Sequence, residues 1–197
     1  MITSTHAVLS LAVLSKRGER KRNLSVLAGS LLPDMAIFLW ATYQALVNDV
    51  SGEEMWDKLY FEPPMQTLIA WFNSIPIYGA LALIGFLAQK KEKTKTWGKL
   101  LMLFALAGLI HIATDMPVHS DDAYRHFWPI SDWRFYSPLS YWDVDHHAGW
   151  VGKIDVAIAL VSIAVLWVRH PTRWVKIALS ITALLYAALL ARSIFMG

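Results

Sequence analysis

Long apolar runs, separated by short polar segments, dominate the hydrophobic pattern of the chain. A helix needs about 20 apolar residues to cross the ~30 Å hydrocarbon core of a bilayer. All the runs but the first approach or exceed that length, so the pattern predicts an all-α, polytopic membrane bundle with about five spanning helices, in one domain over residues 1–197. The runs cover residues 5–15, 24–47, 65–88, 99–116, 151–168 and 174–195.

The first run is too short to span, because the residues from 5 to 15 rise only about 16 Å as a helix. We expect a short N-terminal helix, capped by Ser4 or Thr5, that is half-inserted or packed among the other helices. A secretory signal is rejected, since no basic segment precedes the run and no small-residue cleavage site follows it.

Basic residues are concentrated in alternate loops, at residues 16–22, 89–99 and 169–176, and the loops between them are acidic or mixed. The positive-inside rule places the basic loops in the cytoplasm. The long segment from 117 to 147 then faces outward, which is the periplasmic side for a bacterial inner membrane. This topology explains the net charge of +3 better than nucleic acid does, because the basic residues form no continuous face. We expect membrane lipids as partners and no nucleic acid; the oligomeric state stays open.

Composition narrows the possible chemistry. The chain is 56% hydrophobic with a mean hydropathy of +0.40, which agrees with a membrane protein. It contains no cysteine. Disulfides and cysteine-ligated zinc are therefore excluded, and only His, Asp, Glu and water remain as metal ligands.

Histidine and aspartate are concentrated between His111 and His147, a segment that holds five of the seven histidines. Ionisable side chains inside or beside a bilayer are costly and mark functional sites by default. His111 and Asp115 share a helical face because residues four apart are neighbours on a helix. Pro117 bends or ends that helix, so the direction of His119 is less certain.

Three polar residues fall at one depth in the predicted bundle. At ~1.5 Å per residue from the cytoplasmic ends, His6, Asp34 and His111 lie about 14, 15 and 18 Å up their helices. The alternatives are that His6 is a capping or interfacial histidine and that Asp34 caps a helix restarted after Pro33. We predict instead that ligands converge on one cavity open to the outer side. The predicted metal ligands are His6, Asp34, His111, Asp115, His119 and His126.

Imidazole and carboxylate ligands suit zinc, with manganese and non-haem iron as alternatives, and the number of ions is open. A bound divalent metal lowers the pKa of its water toward ~7, which predicts a hydrolase. Asp121 and Asp122 are candidate catalytic residues, as a general base or as partners that orient an imidazole, or else solvated loop acids. If the substrate is a phosphoester, Arg125, Arg134 and Lys153 are candidates to hold phosphate.

Two further groups allow more than one interpretation. The tract Asp145, His146 and His147 has a ligand-like composition, but a solvated turn before the next helix explains it almost equally well. Asp155 either faces the same cavity or caps the end of that helix.

Three segments, THAVLSLAV, AGSLLPDM and HIATDMPVH, resemble the YdjM-like family of predicted inner-membrane metal-dependent hydrolases, which shares an HxxxD element with zinc-dependent phospholipases C. The resemblance covers most of the chain and implies a metal-dependent hydrolase more firmly than any substrate. The positions that match its motifs are His6, Asp34, His111 and Asp115.

One element of that family is absent from the sequence. The family usually has an HRxxTHS element before its third helix, whereas the counterpart here, WFNSIP, has Asn73 and Ser74 and no histidine. A ligand from His119, His126 or the 145–147 tract is then expected to replace it.

The favoured function is a metal-dependent hydrolase that cleaves an ester or phosphoester of a lipid or of a small interfacial molecule. The alternative is a metal-ion or proton-coupled transporter, since His and Asp residues on several helices also mark ion pathways. Residues 99–110 and 160–168, in the inner half, are apolar, whereas a transport path needs polar steps on both sides. A third option is a scaffold in which a fully ligated metal only holds helices together.

Overall fold

The computed structural model describes the backbone of residues 1–195 and the side chains of residues 1–191. The described chain is 75% helix and contains no strand, which confirms the all-α prediction. Eight α-helices follow one another within these residues: α1 Thr3–Leu14, α2 Arg20–Val47, α3 Gly52–Asp57, α4 Pro63–Phe72, α5 Ile75–Ala88, α6 Lys95–Asp115, α7 Ala148–Arg169 and α8 Arg173–Phe195.

Five segments are long and apolar enough to cross a membrane. They are α2, the combined α4 and α5, α6 with the turns at its two ends, α7 and α8. The predicted number of spans and the short N-terminal helix are therefore confirmed, and the chain has the make-up of a multi-pass membrane protein.

Helix α1 packs among α2, α6 and α7 rather than spanning. It begins at Thr3 with Ile2 at the N-cap, and no described side chain caps it. The expected cap by Ser4 or Thr5 is wrong, because both hydroxyls lie inside the helix and bond the Tyr186 hydroxyl on α8 instead, at 2.7 and 2.6 Å. These bonds tie α1 to the last spanning helix.

Helix α2 continues through Pro33 without a break. Asp34 therefore lies in the middle of a helix, and the interpretation that it caps a restarted helix is wrong. A proline inside a helix leaves the carbonyl four residues earlier without its usual donor. Helices α1, α4 and α6 all pack against α2. Thr3 of α1 donates its hydroxyl to Asp34 Oδ2 at 2.5 Å.

The third span is broken between α4 and α5, at Asn73 and Ser74. The irregular segment 119–147, which we call the outer loop after its predicted side, docks at the break. The Ile75 amide donates to the carbonyl of His126 at 2.8 Å. The Ser74 hydroxyl donates to the carbonyl of Trp128 at 2.5 Å. The backbone groups exposed by the break are thus satisfied by the loop, as burial requires.

Helix α6 ends at Asp115, and a 3₁₀ turn over Met116–Val118 follows, as the position of Pro117 predicts. The irregular stretch 119–147 then covers this end of the bundle. It exposes many large aromatic side chains, a feature of segments at a membrane interface. The rings with substantial exposure are Phe127, Trp133, Phe135, Tyr136, Tyr141 and Trp142.

The basic loops lie together at the other end of the bundle. The Arg169 guanidinium, at the end of α7, donates to the carbonyl of Ala12 near the end of α1 at 2.6 Å. Lys99, near the start of α6, pairs with Glu19, just before α2, at 3.1 Å. The two ends of the molecule therefore differ in charge.

Helices α2 and α6 approach closely because Gly29 has no side chain. A Cβ atom at this position would collide with the backbone carbonyl of Phe104. Small residues allow membrane helices to come within backbone contact in this way. The close approach places the Ser30 carbonyl against the ring of His111, at 2.8 Å from Nδ1.

We expect Gly29→Ala to destabilise the protein by about 1–3 kcal/mol, because the added methyl group forces α2 and α6 apart. The midpoint of thermal unfolding in detergent should fall. Gly79→Ala on α5 is the matched control, since a Cβ there meets no atom within 4 Å. Equal midpoints for the two variants would contradict the close packing of α2 and α6.

Candidate metal centre

Two histidines and two aspartates from three helices meet near the end of the bundle that the segment 119–147 covers. His6 comes from α1, Asp34 from α2, and His111 and Asp115 from α6. Ligand atoms of the first three all lie within 4.8 Å of one another. Both imidazoles are fully buried. Their rings stack at a centroid distance of 3.7 Å and an interplanar angle of 21°.

The nitrogen–oxygen distances in this cluster have the spacing of metal ligands. His6 Nε2 lies 3.3 Å from Asp115 Oδ1, and His111 Nε2 lies 3.4 Å from Asp34 Oδ1. Two ligand atoms, each 2.0–2.2 Å from a zinc ion in a tetrahedral arrangement, are about 3.3–3.6 Å apart. The two distances therefore fit two edges of a tetrahedral site.

Hydrogen bonds fix which ring nitrogen of each histidine carries the proton. The Thr114 hydroxyl donates to the carbonyl of Ile110 at 2.9 Å. It therefore accepts from His6 Nδ1, which lies 3.1 Å away. The Ser30 carbonyl can only accept, so His111 Nδ1 also carries a proton. These outer bonds leave both Nε2 atoms directed at the carboxylates.

The two Nε2 atoms are buried and have no hydrogen-bond partner among the described residues. If both were protonated, two stacked imidazolium rings would repel each other at a distance of 3.7 Å. If neither were protonated, their lone pairs would face carboxylate oxygens, which is also repulsive. A divalent cation bound by both Nε2 atoms and a carboxylate would remove both repulsions. His6, Asp34 and His111 thus form a suitable donor set for a divalent metal. Asp115 is a fourth donor only if its Oδ1 is released from the Met1 ammonium, with which it pairs at 2.5 Å.

His119 contacts two carboxylates and has no free nitrogen. Its Nε2 bonds Asp115 Oδ2 at 3.0 Å, and its Nδ1 bonds Asp122 Oδ2 at 2.7 Å. Burial lowers the pKa of His119, but the two carboxylates outweigh it and raise the pKa to about 9. His119 therefore fixes the Asp115 carboxylate by a hydrogen bond to Oδ2, and Asp122 orients the His119 ring. The structure does not bring His119 into the group of free ligand atoms, and its predicted ligation stays a prediction.

His126 also lies outside that group. Its Nδ1 bonds the carbonyl of Asn73 at 3.1 Å. Burial lowers the pKa of His126. The ring thus lies beside Asn73 and Ser74, where the family resemblance leads us to expect a motif histidine. In this arrangement His126 fastens the outer loop to the break between α4 and α5, and its ligation of a metal stays a prediction.

The two predicted phosphate-binding arginines are engaged in the outer loop. Arg125 pairs with Asp132 at 2.8 Å and donates to Thr67 at 3.0 Å. Arg134 donates to Gln66 Oε1 at 2.9 Å. Within the described chain, neither side chain lines the cavity beside the His/Asp cluster formed by His6, Asp34, His111 and Asp115. The structure therefore gives both arginines a role in holding the loop to α4.

The other candidates, in the 145–147 tract and at Lys153 in the first turns of α7, also lie apart from the cluster. His146 pairs with Asp143 at 2.6 Å in a 3₁₀ turn, and His147 follows in the left-handed conformation with a φ of 65°. Hydrogen bonding to His146 lowers the pKa of Asp143. Lys153 lies over the ring of Trp150 at 5.0 Å. This geometry is that of a capped turn before α7.

Several hydroxyl groups support the cluster, and the sequence analysis did not identify them. Asp155 on α7 accepts from the Thr5 hydroxyl at 3.0 Å, so it faces α1. Thr5 and Thr114 each lie one residue from a predicted ligand, and Thr3, whose hydroxyl donates to Asp34, lies about one helical turn before His6. Hydroxyl residues at such positions inside apolar runs are the signal that would have found them.

A cavity of about 670 Å³ opens beside the cluster. Asp34 and Asp115 line its wall, together with His119, Asp121 and Asp122. Two of the four residues of the cluster are therefore accessible from the cavity, while both histidines lie behind them. Asp122 is buried and, within residues 1–191, its Oδ1 has no hydrogen-bond partner.

No protein-family model matches the chain, and comparisons with curated proteins and with solved structures also give no match. The resemblance to the YdjM-like family stays a prediction. Any function must therefore be inferred from the residues of the site and their contacts.

We expect Thr114→Val to weaken metal binding by about 10–100-fold, because loss of the bond to His6 Nδ1 frees the ring to rotate and to change tautomer. Metal affinity is measured by competition with a chelator. Thr182→Val on α8 is the control, since that hydroxyl only bonds the Ala178 carbonyl of its own helix. Unchanged affinity in Thr114→Val would contradict the role of this hydroxyl in orienting His6 as a ligand.

Proposed function

We propose that the protein is a membrane-embedded, metal-dependent hydrolase that cleaves an ester or phosphoester. One observation carries this proposal: two buried imidazoles direct unpaired Nε2 atoms at two carboxylates, beside a cavity large enough for a substrate. Costly buried groups of this kind are retained where they serve a function.

His6, Asp34, His111 and Asp115 are the residues that would hold the metal. Zinc suits this set best, and manganese or iron are the alternatives. When bound, a divalent ion would supply the nucleophile, because it lowers the pKa of a coordinated water toward about 7. The position of Asp34 and Asp115 on the cavity wall supports an open coordination position, which distinguishes a catalytic site from a closed structural one.

The surrounding residues have separate roles in this proposal. Asp122 orients His119, and His119 holds the Asp115 carboxylate in place. Asp121 is exposed at the cavity, so its carboxylate contacts solvent. Asp121, or the unpaired Oδ1 of Asp122, then acts as the general base.

The distribution of charge supports a location of the site at the outer face. The basic loops lie at the end of the bundle opposite the His/Asp cluster, and the positive-inside rule assigns that end to the cytoplasm. For a bacterial inner membrane, the site then opens to the periplasm. The exposed aromatic rings of the outer loop support a substrate drawn from the bilayer or its interface.

A metal-ion or proton-coupled transporter is the alternative. The buried polar groups of the inner half are hydroxyls, such as Ser10 and Ser162, and no carboxylate or imidazole lies between Asp155 and Arg169. A transport path needs polar steps through both halves of the membrane. The hydrolase is therefore the better supported proposal.

The first test is elemental analysis of the purified protein beside Asp34→Ala and His111→Ala. We expect a stoichiometric transition metal in the wild type and its loss from both variants, because each removes a donor from the same site. His147→Ala, an exposed loop histidine, should keep the metal. If no metal co-purifies and none can be loaded back, the hydrolase loses its nucleophile and the proton transporter becomes the better hypothesis.

The second test is hydrolysis of a panel of lipid esters and phosphodiesters by the metal-loaded protein. Asp34→Ala should reduce turnover by ~100-fold or more, at or beyond the upper end of the 10–100-fold typical of residues that only support a ligand. Metal removal by a chelator should abolish turnover, and metal addition should restore it. Turnover that survives in Asp34→Ala would assign the activity to another site.

A further inference from the structure

The cavity beside the His/Asp cluster has acidic walls. The five aspartates that line it are Asp34, Asp57, Asp115, Asp121 and Asp122, and among the described residues no lysine or arginine side chain lines it. The Met1 ammonium, which pairs with Asp115 Oδ1 at 2.5 Å, and His119 also line the cavity, and together with a divalent ion they offset the negative charge near Asp34 and Asp115. Among the described residues no cationic group pairs with Asp57, so that part of the wall favours a positive charge.

Aromatic rings form one corner of the same cavity. Trp56 and Tyr60 have centroids 5.8 Å apart at an angle of 52°. Tyr60 and Phe61 have centroids 5.2 Å apart at 85°. Trp56 and Phe61 are each 44% exposed, so their faces are free to contact a ligand. A cation within about 6 Å of such a face is attracted by the ring quadrupole.

Carboxylates lie near these rings. Asp57 follows Trp56 directly in α3, and both residues line the cavity. Asp122 of the outer loop also lines the cavity, and its buried Oδ1 is unpaired within the described chain. Aromatic faces combined with carboxylates are the chemistry that recognises amines and quaternary ammonium groups.

The remaining wall is apolar and belongs in part to a spanning helix. Ile37 and Phe38 of α2 line the cavity together with Ile2. Phe38 is 50% exposed on the surface of α2, which is long and apolar enough to cross the membrane. An alkyl chain can therefore reach the cavity along α2 from the bilayer.

We propose that the cavity binds a membrane amphiphile whose head group carries a positively charged nitrogen. The cationic group occupies the corner formed by Trp56, Asp57 and Tyr60, and the ester or phosphoester lies toward Asp34 and Asp115. The substrate class is that of the proposed hydrolase, and the placement of the ester or phosphoester toward Asp34 and Asp115 rests on that function. The cationic corner itself does not depend on the metal.

The experiment compares two probes that differ only in charge. Hexylphosphocholine and its analogue with carbon in place of the quaternary nitrogen are titrated into the full chain in an uncharged maltoside detergent. We expect the cationic probe to bind about tenfold more tightly, or ~1.4 kcal/mol. The preference should persist in chelator-treated protein. Methylphosphocholine, which lacks the alkyl chain, should bind more weakly than the hexyl probe.

Two pairs of variants locate the preference. Trp56→Leu and Asp57→Asn should each reduce it to less than about threefold, because each removes one of the two attractive groups. Glu53→Gln is the matched control for charge on the same helix, and Trp150→Leu is the control for an exposed tryptophan; neither residue lines the cavity in the described chain. Both controls should keep the wild-type preference.

The outcomes for the cationic corner can be told apart from those for metal binding. Equal binding of the two hexyl probes by the wild type overturns it, whether or not the variants fold. Equal binding of the methyl and hexyl probes overturns the membrane source. Charge preference in a protein that binds no metal would support the cationic corner and contradict the hydrolase. Metal binding and hydrolysis without charge preference would do the reverse.

Discussion

The stacking of two buried imidazole rings is the constraint on which the rest of the structure depends. His6 and His111 lie 3.7 Å apart, and both are excluded from water. In an interior of low dielectric constant they cannot both be charged without compensation. His6 Nδ1 therefore donates a hydrogen bond to the Thr114 hydroxyl, and His111 Nδ1 donates one to the Ser30 carbonyl. The Nε2 atoms of both rings face carboxylates. The close approach of α2 and α6 brings the Ser30 carbonyl within hydrogen-bond distance of the His111 ring.

Much of the fold could be predicted from the sequence because bilayer thickness sets the length of apolar runs. The short first helix and the end of α6 before Pro117 were also predictable. The convergence of His6, Asp34 and His111 followed from matched depth alone. Depth works as an argument because helices that cross the same slab share one vertical scale, which soluble helices do not have.

The outer loop resisted prediction for a physical reason. Beyond Pro117 no helical period relates one residue to the next, so the directions of His119 and His126 could not be deduced. The arginines illustrate the same limit. Arg125 and Arg134 had the chemistry of phosphate ligands, but the loop uses them to bond Thr67 and Gln66 on α4. Composition identified the groups, and only tertiary structure could identify their partners.

Helix α1 has a consequence for how the protein is made. Its 12 residues rise only about 18 Å, so the bilayer alone cannot hold it as a transmembrane segment. It is held instead by neighbours that are synthesised later, namely Asp155 of α7 through Thr5 and Arg169 through Ala12. The first helix of the chain therefore has its full set of contacts only after α7 and α8 have been inserted. Because α1 carries His6, the candidate metal centre is complete only when α1 has docked against these later helices.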